Sequence, residues 1–213
     1  MKIPKHIGII PDGNRRWALK HSKEKFEGYQ CGIKPGLEVF KLASELGVKE
    51  ITFYGFTVDN CKREKSQRIA FSDACVEAVK LIEKENAEIL VVGNQNSNMF
   101  PAELVKYTKR VPVNKGGTKV NFLVNYGWDW DISNINSQNK NRGDLISALH
   151  SRDISMMDLI IRWGGMKRLS GFLPIQSVYA DIYTCKNLWP DFKKEDFQSA
   201  LEWYQMQDST KGG

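Results

Sequence analysis

Short apolar runs alternate along the chain with longer segments in which apolar residues recur at helical spacing. Apolar runs bounded by turn residues are typical of buried strands, whereas apolar residues about three or four positions apart are typical of helices. This pattern predicts strands at 6–10, 48–57, 89–92, 120–125, 159–162 and 176–184. It predicts helices at 35–46, 64–86, 101–109, 131–149 and 195–205, with another beginning within 11–18.

The order of these elements predicts an α/β fold. Strands that alternate with helices form βαβ units, which build a mostly parallel central sheet with helices on both faces. The chain has 213 residues and contains neither a repeat nor a linker-like tract, so we expect a single domain over 1–213. Ligands of such sheets bind beyond the carboxyl ends of the strands, which makes the residues after each strand candidates for a site.

Composition and charge narrow the class of protein further. Hydrophobic residues make up 41% and charged residues 26% of the chain, as in ordinary globular proteins. No apolar run approaches the roughly 18 residues of a membrane span, and the first residues do not resemble a secretory signal. The four cysteines are too widely spaced for a zinc site, so we expect reduced thiols and a cytoplasmic protein. The net charge of +6 suits an anionic ligand only if the basic residues converge.

The segment after the first predicted strand is suited to a phosphate group. It reads Pro11-Asp12-Gly13-Asn14-Arg15-Arg16-Trp17-Ala18, and a helix begins within it. A helix N-terminus attracts phosphate, Gly13 permits close approach of the backbone, and Arg15 and Arg16 add charge-assisted donors. Asp12 would repel phosphate unless a divalent cation lay between them, and Mg²⁺ is usually held by one or two carboxylates plus substrate phosphates. The alternative is a turn and helix cap without a ligand.

A second basic segment follows the strand predicted at 159–162. Arg162, Lys167, Arg168 and Ser170 surround a pair of glycines there. Arginine matches phosphate oxygens bidentately, and a serine hydroxyl adds a donor, so two anion sites would suit two phosphorylated substrates. The alternative is a basic surface loop. The P-loop, the dinucleotide-binding fingerprint and the kinase motifs are missing from the sequence, which argues against a nucleotide.

Together with several other segments, these motifs resemble those of the cis-prenyltransferases, the undecaprenyl diphosphate synthase family, in the same order. The matching segments cover nearly the whole chain and lie at 6–18, 28–32, 53–63, 125–131, 158–170 and 179–192. The resemblance implies an enzyme that joins an allylic diphosphate to isopentenyl diphosphate with Mg²⁺ as cofactor. It also implies a homodimer, no nucleic-acid partner and at most peripheral contact with a membrane.

The resemblance further implies roles for individual residues. Asp12 would hold Mg²⁺, and Asp181 stands where the family has a metal-binding glutamate. Asp12, Asn14 and Asn60 would take part in catalysis, with Asn14 or a phosphate oxygen assisting proton loss. The allylic diphosphate would lie against the first basic segment, and the isopentenyl diphosphate against the second. The substrate-binding residues would be Gly13, Arg15, Arg16, Trp17, Lys25, Tyr29, Arg63, Arg162, Trp163, Arg168 and Ser170.

The chain departs from the family pattern mainly around the second basic segment. Trp163 replaces a threonine, Met166 replaces a glutamate, and Thr210 stands where the family has the arginine of its RxG motif. We expect Trp163 to narrow the second site or to offer its π face to a carbocation. We therefore expect poor elongation and a short product of roughly ten to twenty carbons, because pocket shape governs specificity. Other departures are Tyr29 for histidine, Cys61 for tryptophan and Glu64 for proline.

Two other functions stay open at this stage. One is an irregular, lavandulyl-type coupling enzyme or a terpene cyclase that acts on an allylic diphosphate. The other is a non-catalytic partner subunit, although such subunits lack a working first motif and keep RxG, which is the reverse of this sequence. The apolar residues of 69–82, with Phe26 and Phe40, would line a prenyl tunnel or belong to the core. Asp129 and Asp131 would be structural rather than a metal pair.

Overall fold

A seven-stranded sheet forms the centre of the protein in the computed structural model, which describes residues 2–208. The strands are β1 (His6–Ile10), β2 (Glu50–Tyr54), β3 (Ala87–Val92), β4 (Val111–Val113), β5 (Thr118–Leu123), β6 (Leu159–Arg162) and β7 (Asp181–Thr184). The α-helices are α1 (Asn14–Lys20), α2 (Glu27–Cys31), α3 (Ile33–Glu45), α4 (Lys65–Ile82), α5 (Trp128–Asp131), α6 (Arg142–Ala148) and α7 (Lys194–Gln205). Short 3₁₀ helices lie at Val58–Lys62, Ala102–Tyr107 and Trp189–Asp191.

The strand order places β1 near the middle of the sheet. The order is β4-β3-β5-β2-β1-β6-β7, and all neighbouring strands are parallel except the antiparallel pair β3 and β4. The carboxyl ends of β1, β2 and β6 therefore meet at the same edge of the sheet. This architecture confirms the predicted α/β fold with a mostly parallel sheet.

Successive residues of each strand pack on opposite faces of the sheet. Ile7 and Ile9 of β1 face the side covered by α3, α4 and α7, which contribute Val39, Val79 and Leu201 to the core. Ile10 faces the other side, which is covered by α5 and by loops carrying Ile154, Met157, Phe172 and Leu173. A Cβ atom on Gly8 would lie 2.5 Å from the ring of Phe172, so glycine allows that ring to close on β1.

The structure differs from the predicted elements mainly in the asparagine-rich segment. The helix predicted at 131–149 is instead divided into α5 and α6, which are joined by turns. The amide oxygens of Asn136 and Asn139 accept hydrogen bonds from nearby backbone N–H groups, at 2.9 and 2.8 Å, and so favour turns over a helix. The strand predicted at 176–184 is confined to β7, and the short elements α2 and β4 were not predicted.

Within residues 2–208, no helix is both long and apolar enough to cross a lipid bilayer. Cys31, Cys61, Cys75 and Cys185 all lie in this part of the chain and are free thiols.

A buried polar network lies on the loop-covered face near the start of β1. His6 is 1% exposed, and its Nδ1–H donates to the carbonyl oxygen of Ser155 at 3.0 Å. Its Nε2 must then accept from the hydroxyl of Thr52, at 2.8 Å. The same hydroxyl oxygen accepts from the amide of Asn121, which also donates to Glu50 at 2.7 Å. The hydrogen bonds of this network require neutral His6, because a protonated Nε2 could no longer accept from Thr52, and the hydroxyl would have to turn its proton elsewhere.

This requirement predicts that the fold loses stability in mild acid. Burial lowers the pKa of His6, although the charges of Glu50 and Asp158 oppose the shift. A group whose pKa is lower in the folded protein stabilises the fold fully only above its pKa in the unfolded chain, which is 6.5 for His6. This contribution is lost as the pH falls below that value. We predict that the free energy of unfolding in urea falls between about pH 7.5 and about pH 5.5, by at most about 1.4 kcal/mol per pH unit for this one proton. His6→Asn should show a shallower dependence; equal slopes would assign the loss to other groups.

Candidate active site

The carboxyl ends of β1, β2 and β6 open into a polar cavity of about 470 Å³. Its walls come from the loop after β1, from α1 and α2, from the 3₁₀ helix Val58–Lys62 and from the loop after β6. Most of the site residues predicted from the sequence line this cavity: Asp12, Gly13, Asn14, Arg15, Arg16, Tyr29, Asn60, Arg63, Arg162, Arg168 and Ser170. Residues that are distant in the sequence thus converge at one edge of the sheet.

Gly13 turns the chain from β1 into α1. Its φ of 110° lies in the left-handed region, which glycine adopts more easily than other residues. The helix then begins at Asn14, whose amide group donates to the carbonyl oxygen of Pro11 at 3.0 Å. The Oδ1 atom of Asn14 is buried and has no partner among the described residues, so it is available as an acceptor.

The carboxylate of Asp12 lies between two guanidinium groups. Its Oδ2 accepts from Nη2 of Arg162 at 2.7 Å, and its Oδ1 is 3.3 Å from Nη2 of Arg16. Arg162 is only 4% exposed, and its Nη1 donates to the hydroxyl of Ser170 at 3.0 Å. Arg16 also donates to the carbonyl oxygen of Gly164, at 2.9 Å. The two basic segments of the sequence therefore form one connected charge cluster.

The 3₁₀ helix after β2 forms another wall of the cavity. Asn60 accepts a hydrogen bond from the backbone N–H of Thr57 at 3.1 Å, which fixes the turn. Arg63 follows the turn and donates to the hydroxyl of Tyr29 at 2.9 Å. Burial raises the pKa of Tyr29, although the charges of Arg63 and Arg15 oppose the shift. A neutral phenol therefore faces the cavity.

The carboxylates at the cavity suit a magnesium ion that takes most of its ligands from a bound phosphate group and from water. Asp12 is partly exposed to the cavity, and Asp59 also lines it. No group of three or more histidine, cysteine or acidic residues is clustered within residues 2–208. Mg²⁺ commonly binds one or two carboxylates and completes its shell with phosphate oxygens and water. Asp12 fits this mode of binding.

Asp181, the other residue predicted to bind the metal, does not line the cavity that Asp12 lines. It begins β7 and is paired with Leu159 at the start of β6. Asp12, by contrast, follows the carboxyl end of β1. The two carboxylates therefore lie toward opposite ends of the parallel strands.

Trp163 is also placed differently from the expectation. Its side chain is fully buried and packs edge-on against Trp189, with ring centroids 4.8 Å apart, and against Phe192. Consecutive side chains of an extended chain point to opposite sides, so Arg162 enters the cavity while Trp163 enters the helix-covered core. The expectation that Trp163 narrows the second site or faces a carbocation is therefore wrong.

Two other predicted substrate-binding residues lie outside the cavity lining. Trp17 donates its ring N–H to Asp191 at 2.7 Å and stacks on His21, which gives it a packing role. Lys25 is exposed to solvent in the loop between α1 and α2. Thr210, at the position of the missing RxG arginine, lies outside the described residues.

An apolar cavity of about 80 Å³ opens from the polar one. The two cavities share Pro11, Asn14, Tyr29, Tyr54, Gly55 and Phe71 in their linings. The helix α4 supplies one face of the apolar cavity, with side chains spaced about three or four residues apart: Phe71, Ala74, Cys75, Ala78, Leu81 and Ile82. Part of the 69–82 segment therefore lines this apolar cavity, whereas Phe40 is in the core and Phe26 is exposed.

Sequence reasoning assigned no role to several residues of the polar cavity. Tyr54, Thr57 and Asp59 line it but received no role, although all lie at or just after the end of β2. The rule that sites follow the carboxyl ends of parallel strands could have identified them.

Asp131 belongs to the structure rather than to a metal site. Its buried carboxylate accepts from the hydroxyl of Tyr126 at 2.8 Å, and from the backbone N–H and hydroxyl of Ser151 at 2.8 and 2.7 Å. These bonds join α5 to the loop before β6. They agree with the structural role expected for this residue.

Comparisons with known proteins agree with this geometry. The undecaprenyl diphosphate synthase family model matches residues 10–212. The (2E,6E)-farnesyl-diphosphate-specific ditrans,polycis-undecaprenyl-diphosphate synthase of Pasteurella multocida is 31% identical over 99% of this chain and 95% of its own length. The isoprenyl transferase of Streptococcus mutans is 33% identical over 100% of this chain and 94% of its own.

A solved structure shares the fold over nearly the whole chain. It is lavandulyl diphosphate synthase from Lavandula x intermedia in complex with dimethylallyl diphosphate, with a TM-score of 0.84. The sequence identity is 23%, and the match covers 96% of each chain.

The placement of Trp163 and Arg162 on opposite sides of the chain predicts opposite mutant phenotypes. Trp163→Thr should lower the free energy of unfolding by about 3–5 kcal/mol, as loss of a buried aromatic ring does. It should change the affinity for inorganic pyrophosphate by less than about two-fold, because the side chain of Trp163 does not line the polar cavity. Arg162→Gln should instead weaken pyrophosphate binding by roughly 10- to 150-fold, for one charge-assisted bond. Urea unfolding and calorimetry test both, and a Trp163→Thr protein of normal stability would contradict its place in the core.

Proposed function

Since the chain belongs to the undecaprenyl diphosphate synthase family of prenyltransferases, we propose that it joins an allylic diphosphate to isopentenyl diphosphate with Mg²⁺ bound at Asp12. The observation that carries this proposal is the junction of an arginine-lined polar cavity with an apolar one. An allylic diphosphate has the same division, with a charged head and a hydrocarbon chain. The head would occupy the polar cavity and the chain the apolar one.

The residues near α1 would bind the allylic diphosphate. Arg15, Arg16 and Arg63 bring three positive charges to this wall of the cavity. Cleavage of the allylic C–O bond moves negative charge onto the departing diphosphate, and fixed donors stabilise that charge as it develops. When bound at Asp12, Mg²⁺ would supply Lewis-acid stabilisation of the same leaving group.

The loop after β6 would hold isopentenyl diphosphate through Arg162, Arg168 and Ser170. The double bond of isopentenyl diphosphate attacks the allylic carbon, the new C–C bond forms, and a proton is then lost. The free Oδ1 atom of Asn14 is an acceptor at the boundary of both cavities. An amide is a far weaker base than a diphosphate oxygen, so we assign the proton to the departing diphosphate and an orienting role to Asn14.

The size of the apolar cavity favours a short product. Its volume of about 80 Å³ is small beside the roughly 150 Å³ of an engineered cavity that binds benzene. Met166 lines the polar cavity, where its thioether lies 3.6 Å from Arg168 and provides no carboxylate. We therefore propose a product of roughly ten to twenty carbons, set by the shape of the pocket. Irregular coupling of allylic units is the second candidate function, because lavandulyl diphosphate synthase shares the fold.

Product analysis distinguishes these reactions. The purified protein is incubated with Mg²⁺ and dimethylallyl, geranyl or farnesyl diphosphate, each with and without isopentenyl diphosphate. We expect a short condensation product that requires isopentenyl diphosphate. A product formed from the allylic substrate alone would indicate irregular coupling or cyclisation. Efficient synthesis of long polyprenyl diphosphates would contradict the proposed chain length.

The position of Asp12 predicts a large loss of turnover in Asp12→Ala. Loss of one electrostatic contact to the leaving group typically costs about 10²- to 10³-fold in rate. Asp181→Ala is the matched control, because it removes a carboxylate that lies outside the cavity lining, and it should keep near wild-type turnover. Steady-state kinetics at saturating Mg²⁺, with circular dichroism of each variant, provide the measurement. Equal losses in both variants would restore Asp181 as a partner of Asp12.

We also propose that the protein is a homodimer of the cytoplasm. β7 lies at one edge of the sheet, and the apolar side chains of Ile175, Val178, Tyr179 and Ile182 are exposed beside it. Contiguous exposed apolar surface next to a sheet edge is typical of an interface between proteins. The free thiols of the four cysteines suit a reducing compartment.

The exposed surface beside β7 predicts that one charge will separate the dimer. Val178 is 62% exposed, so Val178→Glu should leave the folded subunit intact while it disfavours burial of this surface. Light scattering after size exclusion should give a dimer for the wild type and a monomer for the variant. An unchanged dimer in the variant would place the interface elsewhere.

A further inference from the structure

The loop after β6 has a strained backbone where it carries Ser170. The φ angle of Ser170 is 53° and that of Leu173 is 36°, and Gly171 between them has a φ of 80°. All three angles lie in the left-handed region, which residues other than glycine seldom adopt and keep only where surrounding contacts hold them. The conformation of the segment 170–173 therefore depends on its neighbours.

Phe172 anchors this segment in the core on the loop-covered face of the sheet. Its side chain is fully buried, and its ring centroid is 5.0 Å from that of Tyr54 at the end of β2. Ser170, two residues earlier, is exposed to the polar cavity. The anchor at Phe172 therefore does not by itself fix the position of Ser170.

Tyr54 supplies the contact that reaches Ser170 directly. Its hydroxyl donates to the carbonyl oxygen of Ser170 at 2.7 Å. Burial raises the pKa of Tyr54, so the phenol keeps its proton and remains a donor. The hydroxyl of Ser170 in turn accepts from Nη1 of Arg162 at 3.0 Å. Tyr54 and Arg162 thus hold the backbone and the side chain of the same residue.

The next residue shows how closely the loop is packed at this point. A Cβ atom on Gly171 would lie 2.9 Å from Cδ1 of Trp128 and 3.5 Å from the hydroxyl oxygen of Tyr54. The peptide that joins Ser170 to Gly171 is therefore enclosed by side chains from β2 and α5. Glycine is needed here both for its φ angle and for this close approach.

We propose that Tyr54 is a positioning residue for isopentenyl diphosphate, because its hydrogen bond to the backbone of Ser170 holds the hydroxyl of that residue beside Arg162. This inference rests on the proposed function, which assigns Arg162 and Ser170 to this substrate. Tyr54 belongs to the central sheet, so it gives an exposed loop residue a rigid support. A binding group that is already in place loses less conformational freedom when its ligand binds.

Calorimetry tests this role separately from turnover. Geranyl S-thiolodiphosphate, an unreactive allylic analogue, is titrated with Mg²⁺ into the wild type and Tyr54→Phe, and isopentenyl diphosphate is then titrated into each saturated protein. Tyr126→Phe is the matched control, since Tyr126 packs edge-on against Tyr54 and donates to Asp131 but lines neither cavity. Circular dichroism confirms that each variant is folded. Gly171→Ala is a second variant, because its added Cβ disturbs the same peptide while Tyr54 is kept.

We expect Tyr54→Phe to weaken isopentenyl diphosphate by about five-fold, within the roughly 2- to 12-fold range that one neutral hydrogen bond contributes. Gly171→Ala should weaken it at least as much. Both variants should change the affinity for the allylic analogue by less than about two-fold, and Tyr126→Phe should change neither affinity by more. In steady-state kinetics, Tyr54→Phe should raise the KM for isopentenyl diphosphate by a similar factor and leave the KM for the allylic substrate unchanged.

A double-mutant cycle tests whether Tyr54 acts through Ser170. In a Ser170→Ala protein, the further change Tyr54→Phe should weaken isopentenyl diphosphate by less than about two-fold, because the hydroxyl that Tyr54 positions is already absent. Losses that add fully in the double variant would instead indicate direct contact between Tyr54 and the ligand, and would overturn the positioning role.

Failure of this inference is distinguishable from failure of the proposed function. A wild type that binds neither ligand, or the allylic analogue alone, would overturn the proposed joining of two substrates. A wild type that binds both, with Tyr54→Phe and Gly171→Ala matching Tyr126→Phe in both affinities, would overturn the positioning role alone.

Discussion

The ion pair between Asp12 and Arg162 holds the candidate site together. It joins the loop after β1 to the loop after β6, and its oxygen and nitrogen atoms are 2.7 Å apart. Arg162 is almost wholly buried, and an unpaired buried charge typically destabilises a protein by about 3–5 kcal/mol. The pair with Asp12 therefore stabilises Arg162 at the end of β6. In the proposed function, a substrate diphosphate would lie beside this ion pair.

The alternation of side chains in the strands separates the two halves of the site chemically. Arg162 points into the polar cavity, and the next residue, Trp163, points into the core beneath the helices. At the other boundary, Tyr29 and Phe71 close the apolar side without adding charge. The polar and the apolar cavity thus meet at a sharp transition, which suits the allylic diphosphate of the proposed function.

The sequence predicted the parts of the fold that depend on local pattern. β1 and β6 have the predicted bounds, because each is a short apolar run that ends at a turn or at a charged residue. Asp12 and Arg162 were recognised because they follow these strands. The placements that failed depend on tertiary packing. Strand register decides on which side of the chain Trp163 lies and at which end of the sheet Asp181 lies. Register depends on pairing between strands that are distant in the sequence, so local pattern does not predict it. The volume of the apolar cavity depends likewise on how α4 packs against the sheet.

The most direct test of the account is a crystal structure of the protein with Mg²⁺ and geranyl S-thiolodiphosphate. The account predicts density for the diphosphate beside Asp12 and Arg16, with the geranyl chain entering the apolar cavity toward α4. A diphosphate bound away from Asp12, or a chain that leaves the polar cavity into solvent, would contradict it.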